Sequence, residues 1–425
     1  MSNLDTAKSI EIISPDSPQV ERIAAFVHDG IDLDSPPREV QPSSFWQRIN
    51  GAETSLWIDS GDIESIDSLW NEQFSGLTTN NTLLNREIQN GIYDDLIPSA
   101  QDLVGNLRGQ ALLREIAFIL NVRHALRLVE RFRCDVSVEL HTDVANDTEA
   151  TLAYARRCHQ ICPEFFIVKV PLTPAGLIAI KQLRDEDIRV NCTLGFSARQ
   201  NYVATALSRP SFVNVFLGRL NSYVAENQLG DGNLVGEKTT LASQGEVATF
   251  TRGLPRTDTR QIAASLREAS QLPRLAGVDV ITMPLKVARQ AEETLQDPWQ
   301  SQLHDTYDVH LFDKIDPETV HLEKLWAVRK IERSFVQKAI LSPPTDGDQL
   351  REMAADYDLE DLFPVMADEQ LSTIAEDGKI PNHQRWQDGI VRGDLAIDSL
   401  MTLAGLASFT DAQAKLDQRI SEHLR

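Results

Sequence analysis

The sequence predicts an α/β protein built on a (β/α)8 TIM barrel, with an N-terminal helical segment and a C-terminal helical extension. Three observations carry this. Eight short runs have the composition of buried strands: 55–59, 76–79, 135–140, 165–170, 189–194, 212–217, 246–251 and 278–283. Longer helical stretches separate them, so neighbouring strands are expected to be parallel with right-handed crossovers. A count of eight favours a closed barrel over an open doubly wound sheet. The expected divisions are 1–54, a helical segment; 55–342, the barrel; and 343–425, an acidic and mostly helical extension.

The elements follow in order. Residues 43–50 read as a helix covering the barrel floor. The stretch 83–132 is too long for one crossover and should hold two or three helices, interrupted near Pro98. In the helix expected over 174–187, Thr173 caps and Pro174 takes the first position, and Leu177, Ile180 and Leu183 share a face. A further helix is expected at 260–269 and another at 322–340. Ser342-Pro343-Pro344 reads as a break, and residues 343–379 carry 11 acids against two bases. This extension is expected to cover the barrel or mediate association, and to supply no catalytic side chain.

Composition narrows the function. Of 425 residues, 42% are hydrophobic and 24% charged, and 63 acids against 41 bases give a net charge of −22. A nucleic acid is therefore not the expected partner, although a local basic patch could still hold a small phosphorylated ligand. No apolar run reaches the length of a membrane span. Residues 1–13 show no signal-peptide pattern, and the four cysteines read as reduced thiols of a cytoplasmic protein. The oligomeric state stays open, a homo-oligomer included.

Lys169 stands out inside the apolar run Phe165-Phe166-Ile167-Val168-Lys169-Val170-Pro171. Lysine is rarely buried, and desolvation favours the neutral amine that attacks carbonyls. The plainer alternative is a lysine that reaches solvent or pairs with an acid. Alternation along the other strands puts Ser55, Trp57 and Asp59 on one face, Asp135, Ser137 and Glu139 on another, and Arg189, Asn191 and Thr193 on a third. In a barrel such faces point inward, and polar groups near the strand C-termini converge on one mouth.

Several segments resemble the transaldolase family of Schiff-base sugar-phosphate enzymes. Leu56-Trp57-Ile58-Asp59-Ser60-Gly61-Asp62-Ile63 resembles its first-strand motif, and Gly76-Leu77-Thr78-Thr79-Asn80-Asn81-Thr82-Leu83 its Gly-Val-Thr-Thr-Asn-Pro-Thr signature. Val136-Ser137-Val138-Glu139 resembles the third-strand motif. Ile167-Val168-Lys169-Val170-Pro171 and Asn191-Cys192-Thr193-Leu194-Gly195-Phe196-Ser197-Ala198-Arg199-Gln200 resemble the lysine strand and the strand after it. Phe216-Leu217-Gly218-Arg219 and Thr282-Met283-Pro284 are fainter echoes.

The resemblance implies dihydroxyacetone transfer between sugar phosphates, without a metal or other cofactor. Lys169 would form the imine, Asp59 would take the proton of the donor's C4 hydroxyl, and Glu139 and Thr193 would hold a proton-shuttling water. Asn80 and Asn191 would bind substrate hydroxyls, Asn214 and Phe216 would line the site, and Arg219 would hold the phosphate. Arg260 would join Arg219 from a helix N-terminus, with Arg252 and Arg256 as alternatives. Asn81 stands where the family usually has proline, and Asn214-Val215 where it usually has Ser-Pro.

Other constellations weigh less. Cys158, His159 and Cys162 share the spacing of half a metal site, but no second pair follows, which favours buried structural thiols. His141 reads as a residue near the mouth rather than a catalytic base. The alternatives to transfer are a fructose-6-phosphate aldolase releasing dihydroxyacetone, which Glu139 and Phe216 disfavour, and a catalytically silent sugar-phosphate-binding protein.

Overall fold

Eight parallel strands pair in chain order and the last closes on the first: β1 Ser55–Asp59, β2 Phe74–Thr78, β3 Asp135–Glu139, β4 Phe166–Pro171, β5 Val190–Thr193, β6 Phe212–Phe216, β7 Arg260–Ala264 and β8 Val280–Met283. The computed structural model describes residues 10–15, 17–253 and 257–425; the expectations for the first nine residues and for Arg256 lie outside them. Among the described residues, no helix is long and apolar enough to cross a membrane.

Strand alternation sorts side chains into two cores. Leu56, Ile58, Val136, Val138, Val168, Val190 and Cys192 point outward and pack beneath the helices. Trp57, Ile167, Phe212, Ile262, Ala264 and Val280 form a separate core inside the barrel. Trp57 fits there because the facing residue is Gly76: a Cβ on Gly76 would lie 2.5 Å from the indole. The indole also packs on Phe212, with ring centroids 5.0 Å apart. The lower barrel is thus filled with rings and branched chains, which leaves only its upper end for chemistry.

The floor helix is Ser44–Ile49, capped by the Ser43 hydroxyl. Residues 81–132 form three helices, Asn81–Gln89, Leu96–Val104 and Gly109–Phe132, with Pro98 tolerated in the first turn of the second. Thr173 caps the helix Pro174–Asp185 by accepting from Gly176 N at 2.9 Å.

Three expectations are corrected. The run 246–251, read as the seventh strand, lies inside the helix Val235–Gly253. Its β-branched residues follow a helical burial pattern that starts earlier, with Val235, Thr239, Thr240, Ser243 and Val247 facing inward. The true seventh strand is Arg260–Ala264, so no helix spans 260–269. Its alanines read as helical, yet Ala264 faces the barrel interior beside Ile262 while Ala263 packs outward beneath the helices. The helix expected over 322–340 is a 3-10 turn, Leu322–Leu325, followed by the helix Lys330–Leu341. Glu332 starts the latter by accepting from Arg329 N at 2.9 Å.

Residues beyond 342 pack directly onto the barrel. The long C-terminal helix Ile397–Glu422 buries Leu400, Met401, Ala404, Phe409 and Leu416. Gly405 lets it settle over the strand ends, since a Cβ there would lie 2.8 Å from Leu194 Cδ2. A buried ion cluster fastens its first turn. The Arg199 guanidinium donates to both Asp398 oxygens at 2.7 and 2.8 Å and to Asp361 at 3.1 Å. Lys324 reaches Asp361 at 2.6 Å. Burial pushes the Asp361 carboxyl up, but the Arg199 and Lys324 charges outweigh it and hold it below the usual range. Removing one partner of such a cluster leaves a buried charge uncompensated. Asp398→Ala should therefore destabilise the protein by about 3–5 kcal/mol in denaturant unfolding. A loss below about 1 kcal/mol, the range of exposed pairs, would show that the cluster does not anchor the helix.

Candidate functional site

The upper barrel opens into a cavity of about 250 Å³ lined by Asp59, Asn80, Lys169, Asn191, Thr193, Asn214, Phe216 and Arg219, all singled out from the sequence. Lys169 sits on β4 with 4% exposure. Its Nζ donates to Thr79 O at 3.0 Å and lies 3.9 Å from Glu139 Oε1. The register places Glu139 directly beside Lys169 on the neighbouring strand, so the pair follows from strand alignment. Glu139 stands behind the lysine, itself outside the cavity lining.

Asp59 ends β1 and accepts from Thr78 Oγ1 at 2.7 Å; Thr78 is also 2.7 Å from Thr282 Oγ1. Its carboxyl is enclosed by protein, although the residue keeps access to the cavity. Burial raises its pKa above the ordinary value, and the Thr78 hydrogen bond and the Lys169 and Arg219 charges oppose the rise without cancelling it. A second polar chain runs across β3, β5 and β6. Asn214 Nδ2 donates to Asn191 Oδ1 at 2.8 Å, and Asn191 Nδ2 donates to Ser137 Oγ at 3.1 Å. Thr193 Oγ1 is buried without a hydrogen-bond partner among the described residues. Asn80 uses its Oδ1 to cap the helix Asn81–Gln89, accepting from Leu83 N at 3.0 Å.

Arg219 lies three residues past the end of β6, buried against Phe216, with its Nη1 lacking a hydrogen-bond partner among the described residues. Burial, and then the charge of Arg267, pull its pKa down to about 10. Arg267 lies at the same offset past the end of β7 and lines the cavity. The first turn of the helix after β6 touches the loop after β7 because Gly218 has no side chain: a Cβ would lie 2.1 Å from Ser265 O. Ser265 itself takes φ +65°, a left-handed conformation unusual for a non-glycine residue.

Arg260 is not in this cavity. It opens β7 at the floor end, where its Nη2 donates to Ser55 Oγ at 2.6 Å and Asp279 O at 2.9 Å. Arg252 ends an exposed helix turn, bonded to Ala248 O, and Arg256 is outside the described residues. The misplaced seventh strand caused the error, since Arg267 fell inside an expected helix. The shared offset from strand end to arginine was the signal available. Sequence reasoning also missed Thr78, Thr82, Arg86, Thr282, Lys379 and Phe409 as lining residues. Phe409, from the C-terminal helix, lies 5.3 Å from Lys169 Nζ and 5.8 Å from the Arg219 guanidinium, centroid to cation.

His141 is buried and 3.2 Å from Asp417 on the C-terminal helix, which makes it a strut rather than a lining residue. Cys158 and Cys162 are buried free thiols. Among the described residues, no three His, Cys, Asp or Glu side chains are grouped to hold a metal ion.

The profile of the transaldolase/fructose-6-phosphate aldolase family matches residues 56–332. The chain is 33% identical over 239 residues to a probable transaldolase of Thermus thermophilus, covering 55% of this chain and 89% of the relative. It is 30% identical over 241 residues to a transaldolase of Xanthomonas euvesicatoria, covering 53% and 71%. A transaldolase of Methylococcus capsulatus aligns over 301 residues at 24% identity, covering 66% and 89%.

The raised pKa of Asp59 has a consequence for stability. The folded chain keeps this proton to higher pH than the unfolded chain, so ionising Asp59 costs stability as pH rises above the unfolded value of about 3.9. Asp59→Asn keeps the acceptor for Thr78 and removes the charge. It should raise the melting temperature at about pH 7 and lose that gain on acidification below about pH 4. Thermal unfolding at both pH values checks this; an unchanged or lower melting temperature at the higher pH contradicts it.

Proposed function

Because the chain belongs to the transaldolase/fructose-6-phosphate aldolase family, we propose that it is a transaldolase working through a Schiff base on Lys169. The donor is sedoheptulose 7-phosphate or fructose 6-phosphate, and the acceptor is erythrose 4-phosphate or glyceraldehyde 3-phosphate, as in the pentose phosphate pathway. One observation carries this reading. A buried lysine, hydrogen-bonded to Thr79 O and 3.9 Å from Glu139, shares a cavity with Asp59 and the arginines Arg219 and Arg267. The four cysteines are buried free thiols, which supports a reducing, cytoplasmic setting.

The Lys169 amine adds to the C2 carbonyl of the donor, and the carbinolamine oxygen leaves as water. In this reading Glu139 and the Thr193 hydroxyl, which has no hydrogen-bond partner among the described residues, hold a water that moves protons in this step. Asp59 then takes the proton of the C4 hydroxyl. The C3–C4 bond breaks, its electron pair enters the protonated imine to give an enamine, and an aldose phosphate leaves. A group that must take and return a proton benefits from a pKa raised toward neutrality, which is the direction found for Asp59. The enamine carbon attacks the acceptor aldehyde, Asp59 returns the proton, and hydrolysis frees Lys169. Asn80, Asn191 and Asn214 contact sugar hydroxyls, while Arg219 and Arg267 hold the phosphate.

Release of dihydroxyacetone instead of transfer requires a proton on the enamine carbon. Phe216 lines the cavity, 5.5 Å from the Phe196 ring centroid, and offers no hydroxyl to deliver one. With fructose 6-phosphate alone, glyceraldehyde 3-phosphate should therefore form only to about one equivalent of enzyme. Adding erythrose 4-phosphate should restore turnover and yield sedoheptulose 7-phosphate. Phe216→Tyr should shift product toward free dihydroxyacetone. Steady multiple-turnover release by the unmodified protein without acceptor would replace this reading with that of an aldolase.

A further inference from the structure

Acids outnumber bases 63 to 41 along the chain, yet the cavity reverses this balance. Its lining holds Arg86, Lys169, Arg219, Arg267 and Lys379 against one carboxylate, Asp59. Four of these cations come from the barrel. Lys379 comes from the C-terminal region, on the turn between the helices Asp368–Asp377 and His383–Arg392.

The turn is held in place from both sides. Asp377 accepts from Asn382 N at 3.1 Å and from Trp386 Nε1 at 3.0 Å. Gly378, at φ +76°, reverses the chain just before Lys379. Beyond the turn, Asn227 Nδ2 donates to Pro381 O at 3.0 Å, and His383 N donates to Asn227 Oδ1 at 2.8 Å. The Tyr223 hydroxyl lies 2.7 Å from His383 Nδ1. Tyr223 belongs to the helix Leu217–Glu226, and Asn227 caps its C-terminus. That same helix carries Arg219 in its first turn, so the segment bearing Lys379 is fastened to the element that positions Arg219.

Among the described residues, Lys379, Arg219 and Arg267 form no ion pair. Asp411 draws on the charge of Lys379 but is itself paired with Lys415 at 2.7 Å. Burial, followed by the charges of Arg219 and Arg267, lowers the pKa of Lys379, so the three cations act on one another. Like charges gathered in excess of the carboxylates around them repel, and a dianion placed among them reverses the sign of that interaction.

We infer that Lys379 is a third phosphate-binding side chain, carried into the site by the C-terminal region, so that barrel and extension together read the substrate phosphate. The identity of the phosphorylated substrate rests on the transaldolase reading; the contact with phosphate does not. The ammonium is a point charge on a flexible stem, suited to the outer face of a phosphate already gripped by the two guanidinium groups.

The test uses the full chain and its Lys379→Ala and Lys379→Arg variants. Inorganic phosphate is titrated by calorimetry, and donor kinetics are measured with fructose 6-phosphate. Loss of one charge-assisted contact should raise the phosphate Kd and the KM about tenfold in Lys379→Ala, with the loss in KM rather than in kcat and largely recovered in Lys379→Arg. Imine formation with unphosphorylated dihydroxyacetone should match the parent protein. Unaltered phosphate affinity in Lys379→Ala would overturn the inference, as would equal losses for phosphate and for dihydroxyacetone. Phosphate binding that depends on Lys379 in a protein without transferase activity would uphold the subsite and refute the transaldolase reading. Transfer with phosphate affinity independent of Lys379 would do the reverse.

Discussion

Holding a lysine inside a barrel wall is the constraint around which this structure is arranged. A buried ammonium is costly unless it finds an acceptor or a counter-charge, or gives up its proton. Lys169 has both kinds of partner within reach: the Thr79 carbonyl at 3.0 Å and the Glu139 carboxylate at 3.9 Å. Neither could be there without the closed parallel sheet, which sets Glu139 beside Lys169 in register and brings the end of β2 close to β4. The polar surroundings extend outward from this point, through Asn191, Asn214 and Ser137 on one side and through Asp59, Thr78 and Thr282 on the other. Beneath them, Trp57, Ile167 and Phe212 fill the barrel. The apolar lower layer and the polar upper layer are two consequences of one alternation pattern.

Much of this was legible in the sequence because strand alternation writes inward and outward faces into the residue order. Asp59, Glu139, Lys169, Asn191 and Thr193 could be placed on inward faces from residue type and spacing. The resemblance of neighbouring segments to a known family added Asn80, Asn214, Phe216 and Arg219. The seventh strand defeated the same logic. Only Ile262 among its residues Gln261-Ile262-Ala263-Ala264 has the branched or aromatic character of a strand, while the helix before it holds the misleading run Val247-Ala248-Thr249-Phe250-Thr251. Tertiary packing overrode local preference at both places, and the error displaced the second arginine from Arg267 to Arg260. Lys379 and Phe409 were illegible for another reason. They reach the site only because the C-terminal helices fold back across the barrel, and no local pattern encodes that return.

The C-terminal region therefore differs from a solvated acidic appendage. Its acidic residues lie largely at the surface or in ion pairs such as Arg199–Asp398 and Lys324–Asp361. What it presents to the cavity is an aromatic ring and a cation. Phe409 lies against both Lys169 and Arg219, so one ring spans the two cations. The ring covers apolar surface beside the lysine, while Arg86, Arg219, Arg267 and Lys379 line the same cavity with positive charge.

In the proposed reaction Lys169 becomes covalently attached to the donor. This attachment is tested most directly by reducing the protein with borohydride in the presence of fructose 6-phosphate and mapping the modified peptide by mass spectrometry. The account predicts a reduced three-carbon adduct on Lys169, absent when Lys169 is replaced by methionine. An adduct on a different lysine, with the methionine variant still turning over donor and acceptor, would contradict it.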